Sequence, residues 1–136
     1  MDTSKEYIKM CGKATDVQEL RPVSIDWELG DYYSFEDGDF GVTGVPNGYD
    51  DYFIKHHQGE IWLPRQDQLQ EMVECWTTNP VEKILRFAQG VYTYPQLEET
   101  EENQRYYFKF SSMEQLWLAF VMKEKYGKTW NGEEWT

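Results

Sequence analysis

The chain is poor in the residues that most often bind metals or act as nucleophiles. Its 136 residues include two cysteines and two histidines. Cys11 and Cys75 are too few for a disulfide framework and lack Cys-x-x-Cys spacing, so reduced thiols in a cytosol are expected. His56 and His57 are adjacent. On a strand, adjacent side chains point to opposite faces, so the two imidazoles do not converge on one ion and no metal is expected. Long apolar runs are also missing. The run LWLAFVM, Leu116 to Met122, falls far short of the roughly 20 residues that span a bilayer, so no membrane is expected. The opening MDTSKEYIKM is polar and helical in pattern, unlike a secretory leader.

Positive charge is absent from one long stretch. Between Asp26 and Phe53 the chain reads DWELGDYYSFEDGDFGVTGVPNGYDDYF, with eight acidic residues and no lysine or arginine. The formal net charge of the whole chain is -12. Eleven of those twelve excess charges fall in residues 24–53 and 96–105, and the remainder is nearly neutral. Such a field repels phosphates, which disfavours direct binding to nucleic acid or to an anionic membrane. A basic protein partner suits it, and so does solubility alone.

Aromatics make up 17% of the residues, which argues against disorder. The length is that of a single domain, residues 1–136, able to bury a core. The glycines of DGDFGVTG do not form a phosphate loop, since no Gly-Lys-Ser/Thr follows and carboxylates surround them. The same stretch lacks the closing Glu of a twelve-residue calcium loop. Neighbouring carboxylates such as Asp50-Asp51 and Glu98-Glu99 are the pattern of a solvated surface. No enzyme activity and no cofactor are expected.

The pattern along the chain is that of an α+β fold, a small antiparallel sheet packed against about four helices. Tyr7, Cys11, Ala14 and Val17 recur at helical spacing within residues 3–20, and Pro22 ends that helix. Ile25 to Phe35 reads as a strand with a bend at Gly30-Asp31, followed by a turn-rich connection through the glycines at 38, 41, 44 and 48. Tyr52–His56 and Glu60–Leu63 suggest a hairpin. RQDQLQEMVECW, from Arg65, suggests a helix with Leu69, Met72, Val73 and Trp76 on one stripe. A strand-to-helix joint there, with Trp62 and Leu63 in the core, is preferred to a recognition face made by Arg65 and the glutamines. Asn79-Pro80-Val81-Glu82 starts another helix, running to Gln89 and stopped by a left-handed Gly90. Tyr92–Tyr94 reads as a short strand, Glu98–Asn103 as an acidic turn and Tyr106–Phe110 as a strand. Ser111-Ser112 caps a last helix whose core stripe is Met113, Leu116, Trp117, Phe120 and Val121; Leu118 and Met122 lie opposite, which implies burial on two faces. Asn131-Gly132 predicts a two-residue hairpin turn pairing Trp130 with Glu133 and Lys128 with Trp135, a C-terminal tryptophan hairpin folded back on the body.

The candidate binding residues lie in the acidic stretch. Asp31, Glu36, Asp37, Asp39, Asp50 and Asp51, with Tyr32, Tyr33, Tyr49 and Tyr52 among them, are expected to form an acidic and aromatic face. Carboxylates give a cationic groove the charge it expects, and tyrosines add apolar area at low entropy cost.

Two further stretches, IWLPRQDQLQEMV at 61–73 and SMEQLWLAFVMKEKYGKTWNGEEW at 112–135, resemble small proteins encoded by bacteriophages and prophages of Gram-positive and gut bacteria. A weaker likeness extends to EYIKMCGKA near the N-terminus. These motifs concern packing and capping and carry no functional residues. The resemblance implies a protein of the infected bacterium's cytoplasm. By analogy it implies an anti-defence factor, such as an anti-CRISPR, that mimics nucleic acid and inhibits a basic host nuclease. Two alternatives stand beside it. One is a small-molecule binder such as a signalling-nucleotide sponge, which needs Lys55, Arg65 and Arg86 to converge. The other is an accessory protein whose acidity serves only solubility.

Overall fold

A computed structural model describes residues 1–21, 31–34, 40–42, 61–73, 79–92 and 99–136, with backbone alone for 40–42, 99–101 and 103. The chain divides into two compact units, residues 1–65 with 130–136, and residues 66–129. Helices and a small antiparallel sheet are both present, so the class is α+β.

In the first unit, α1 (Lys5–Lys13) is capped by Ser4, whose side chain accepts from the Tyr7 amide. A short α2 (Thr15–Gln18) follows. The expected single helix is broken at Ala14, where ψ of 67° leaves the helical region. Its apolar stripe nonetheless faces inward: Tyr7, Met10, Cys11, Ala14 and Val17 are fully buried. The break lets two short helices follow a surface that one straight helix would leave.

The sheet comprises β1 (Tyr32–Ser34), β2 (Phe40–Val42) and β3 (Ile61–Leu63), in the order β2-β1-β3 with both pairings antiparallel. Tyr33 lies opposite Gly41 on one side and Trp62 on the other. Phe40–Val42 corrects the reading of that region as turn throughout: backbone pairing with β1 overrides the low strand propensity of a glycine-rich segment. Residues 22–30 and 51–60, including Pro22, His56 and His57, lie outside the described residues.

Helix α1 packs on β3, and Gln18 closes the outer edge of that strand. Its amide donates to the Trp62 carbonyl at 2.8 Å and accepts from the Trp62 N–H at 2.9 Å. One side chain thus supplies the two bonds that a further strand would make. The Tyr7 hydroxyl donates to the Pro64 carbonyl at 2.6 Å, holding the chain where it leaves β3. Trp62 and Leu63 are buried as a joint of this kind requires.

The C-terminal segment belongs to the same unit. Trp130 and Trp135 are bridge partners, which corrects the expected register. Four residues separate the bridged pair, and Asn131 Oδ1 accepts from both Glu133 N and Glu134 N. That asparagine side chain organises a wider loop than Asn-Gly alone predicts. Trp130 Nε1 donates to Glu6 and Trp135 Nε1 to the Met10 carbonyl, each at 2.9 Å. Lys9 bonds the Gly132 carbonyl and lies 2.6 Å from the Glu133 carboxylate, which lowers the pKa of Glu133.

The second unit holds α3 (Gln66–Met72), α4 (Pro80–Val91), α5 (Glu99–Phe108) and α6 (Met113–Tyr126). Helix α6 is its centre: Trp117 through Met122 are all buried, so both faces are covered. Ser112 accepts from the Gln115 N–H, Gln115 Oε1 accepts from the Ser111 N–H, and Gly127 ends the helix at φ 66°. Met113 and Leu116 depart from the expected core stripe, Met113 being 46% exposed and Leu116 half-buried.

Two elements differ from expectation. Where an acidic turn and then a strand are expected, residues 99–108 form the single helix α5. The strand preference of Tyr106, Tyr107 and Phe108 is overridden as Tyr107 enters the core at 1% exposure. Gly90 lies inside α4 rather than ending it. A Cβ at Gly90 would overlap the Phe120 ring, so this glycine lets two helices approach closely. Tyr92 is the residue after the helix and not a strand, and residues 93–98 lie outside the described residues.

Candidate protein-binding surfaces

Of the candidate acidic face, Asp31 lies just before the central strand β1. Asp31 is fully buried and its carboxylate lies 2.7 Å from Arg65 Nη1, an ion pair between the start of β1 and the end of β3. Tyr33 is 7% exposed on β1, and Tyr32 is half-buried. Asp31 and Tyr33 are thus buried in the framework, where a surface position was expected. A carboxylate removed from water needs a cation, and the guanidinium at the strand-to-helix joint supplies it. Glu36, Asp37, Asp39, Tyr49, Asp50, Asp51 and Tyr52 lie outside the described residues. Arg65, weighed above as part of a recognition face or a nucleotide site, serves Asp31; Lys55 is outside the described residues.

The β1–β2 register places Ser34 opposite Phe40. The five residues that join them include Glu36, Asp37 and Asp39. Both ends of this acid-bearing connection are thus fixed, one end by the ladder to β3 and by the Asp31–Arg65 pair as well.

A second surface lies on α4, and sequence reasoning overlooked it. Val81, Ile84 and Leu85 are 60%, 61% and 54% exposed, and Ala88 is exposed beside them. Their spacing of three, four and seven residues puts them on one face. The signal was in the sequence as a helical periodicity, but periodicity does not say whether a stripe faces the core. Here the inward face carries Phe87, stacked on Trp117 at 3.8 Å with planes 12° apart, and Gly90 against Phe120.

A third feature is a groove of about 290 Å³ in the second unit, lined by Met72, Val73, Arg86, Glu124 and Lys125. Lys125 Nζ reaches the Met72 carbonyl at 3.5 Å. One acid between two cations leaves little net field, and the groove offers no nucleophile. The Cys11 thiol is fully buried, and desolvation raises its pKa far above neutrality, which leaves it protonated and inert. Among the described residues no group of three or more His, Cys, Asp or Glu is placed to hold a metal, and no helix is long and apolar enough to cross a membrane.

No protein-family model, no curated protein and no solved structure matches the chain.

Proposed function

We propose that this chain is a non-enzymatic binding protein whose acidic segment takes a basic protein partner. The observation that carries this reading is the fixed framework formed by the described residues on either side of Glu36, Asp37 and Asp39. Asp31 is locked to Arg65, and Ser34 is paired with Phe40 on either side of Glu36, Asp37 and Asp39. Carboxylates whose chain ends are held lose less entropy on meeting a partner than the same charges on a free tail. With no base in residues 24–53, the segment is suited to a site shaped for phosphates. The phage-type sequence likeness makes a host nuclease the partner class to test first, in the manner of an anti-defence inhibitor that mimics nucleic acid.

The test is affinity capture on the purified chain from a Gram-positive bacterial lysate, with mass spectrometry of the eluate at low and high salt. A nucleic-acid-binding protein retained at low salt and released by salt supports the reading. A nucleotide released on heating the pure protein, with no protein retained, overturns it in favour of a small-molecule binder.

A further inference from the structure

The helix that spacing predicts over residues 3–20 is broken at Ala14, yet no residue at the joint breaks helices. Alanine is the best helix former, and the nearest glycine, Gly12, is still inside α1. A break without proline or glycine is usually made by a side chain that enters the i→i−4 hydrogen-bond ladder. Trp135 is that side chain. Its indole N–H donates at 2.9 Å to the Met10 carbonyl, which also accepts from the Ala14 N–H at 3.1 Å. The Ala14 N–H is shared with the Cys11 carbonyl at 3.0 Å, and the chain then leaves the helix.

The break also sets the edge of the sheet. Gly12 lies against Ile61, where an added Cβ would come within 2.9 Å of Cδ1. Gln18 holds the backbone of Trp62, the next residue of β3. On a continuous helix Gln18 would stand about 9 Å beyond Gly12 along the axis and about 120° around it. Contacts with two successive strand residues would not then coexist. The Trp62 N–H and carbonyl would lose the Gln18 amide, and the outer edge of β3 would be bared.

The rest of the C-terminal segment seats Trp135. Trp130 Nε1 donates to Glu6, and Lys9 bonds the Gly132 carbonyl, so the segment grips residues 6, 9 and 10 on one face of α1. We propose that residues 130–136 are a latch on the joint at Ala14. With the latch seated, the joint is broken and Gln18 covers the β3 edge. With it lifted, α1 and α2 run together and that edge opens. The C-terminus is thereby coupled through β3 to β1, the strand that precedes Glu36, Asp37 and Asp39 in the chain.

Hydrogen exchange on the full chain, read at single amides, tests the latch. Trp135→Phe keeps an aromatic ring and removes the indole N–H. It is expected to speed exchange of the Trp62 amide about tenfold or more while leaving the Tyr33 amide of β1 within about twofold. Thr15→Pro, at an exposed position, forbids the joined helix and suits the broken one. Proline fits the first position of α2, and Ala14 before it already lies outside the helical region that a following proline disfavours. Alone, Thr15→Pro is expected to leave Trp62 protected and the melting temperature unchanged or higher; added to Trp135→Phe, it is expected to restore Trp62 protection. Exchange at Trp62 indifferent to Trp135→Phe overturns the proposal. So does equal acceleration at Trp62 and Tyr33, which means that the first unit opens as a whole. A double variant no better protected than Trp135→Phe, or a Thr15→Pro chain that melts clearly lower, overturns it as well.

Discussion

Tyr107 is 1% exposed, yet its hydroxyl meets no hydrogen-bond partner among the described residues. Burial raises its pKa, with Tyr106 and Glu124 adding to the shift, so it stays a neutral phenol. Trp62 Nε1 and Trp117 Nε1 share its predicament. A buried donor without a partner costs about 1–3 kcal/mol of desolvation, and deleting it recovers part of that. Tyr107→Phe is therefore expected to melt at or above the parent temperature in thermal denaturation; a clear loss would show that the hydroxyl is satisfied in solution. Asp31 is the opposite case. Its charge is matched by Arg65, so Arg65→Met withdraws the cation from a fully buried carboxylate and is expected to lower the melting temperature markedly at neutral pH. Adding Asp31→Asn to Arg65→Met is expected to recover much of the loss, since a neutral amide does not need the guanidinium; no recovery would point to packing by the arginine stem instead.

At the scale of elements, contacts too local or too distant to read from spacing decide the fold. Gly90→Ala gains about 1 kcal/mol of helix propensity. It also drives a methyl into the ring of Phe120, itself 1% exposed, and overpacking of this kind costs roughly 1–3 kcal/mol. Net destabilisation in chemical denaturation is expected, with recovery when Phe120→Leu is added. Gln18→Ala removes both bonds to the Trp62 backbone and bares the edge of β3. A loss of about 1–3 kcal/mol in stability is expected, with faster amide exchange at Trp62 in hydrogen-exchange measurements. Neither role was legible in the sequence. What was legible is what local chemistry settles: the Ser112 cap and Gly127 stop of α6, the Asn79 cap of α4, and the inward stripe of α1. The single helix α5 was not, because three consecutive aromatics favour a strand until tertiary packing claims one of them. β2 was hidden for the converse reason, a pairing made entirely by backbone. The candidate face was legible only as charge, and charge alone does not reveal that Asp31 is paired inside with Arg65.

For the molecule as a whole, the question is whether acidity is placed for recognition or spread for solubility. The buried Asp31 sharpens the test, because altering it would damage the framework as well as the field. The informative set is Glu36, Asp37, Asp39, Asp50 and Asp51, each changed to its amide. The matching control is the same change at Glu98, Glu99, Glu101, Glu102 and Glu134; Glu133 is excluded because it pairs with Lys9. Both sets remove five charges, so general repulsion falls equally. Attraction to a cationic groove acts mainly on the encounter rate and fades with salt over a Debye length of about 10 Å at 0.1 M. Against a captured basic partner, the first set is expected to slow association at least tenfold at low salt and to flatten its salt dependence. Its melting temperature should hold or rise, since mutual repulsion is relieved. The control set is expected to slow association much less. Surface plasmon resonance over a salt series separates the cases: equal losses would assign the effect to net charge, and no loss from either set would leave the acidic stretch as solvated surface.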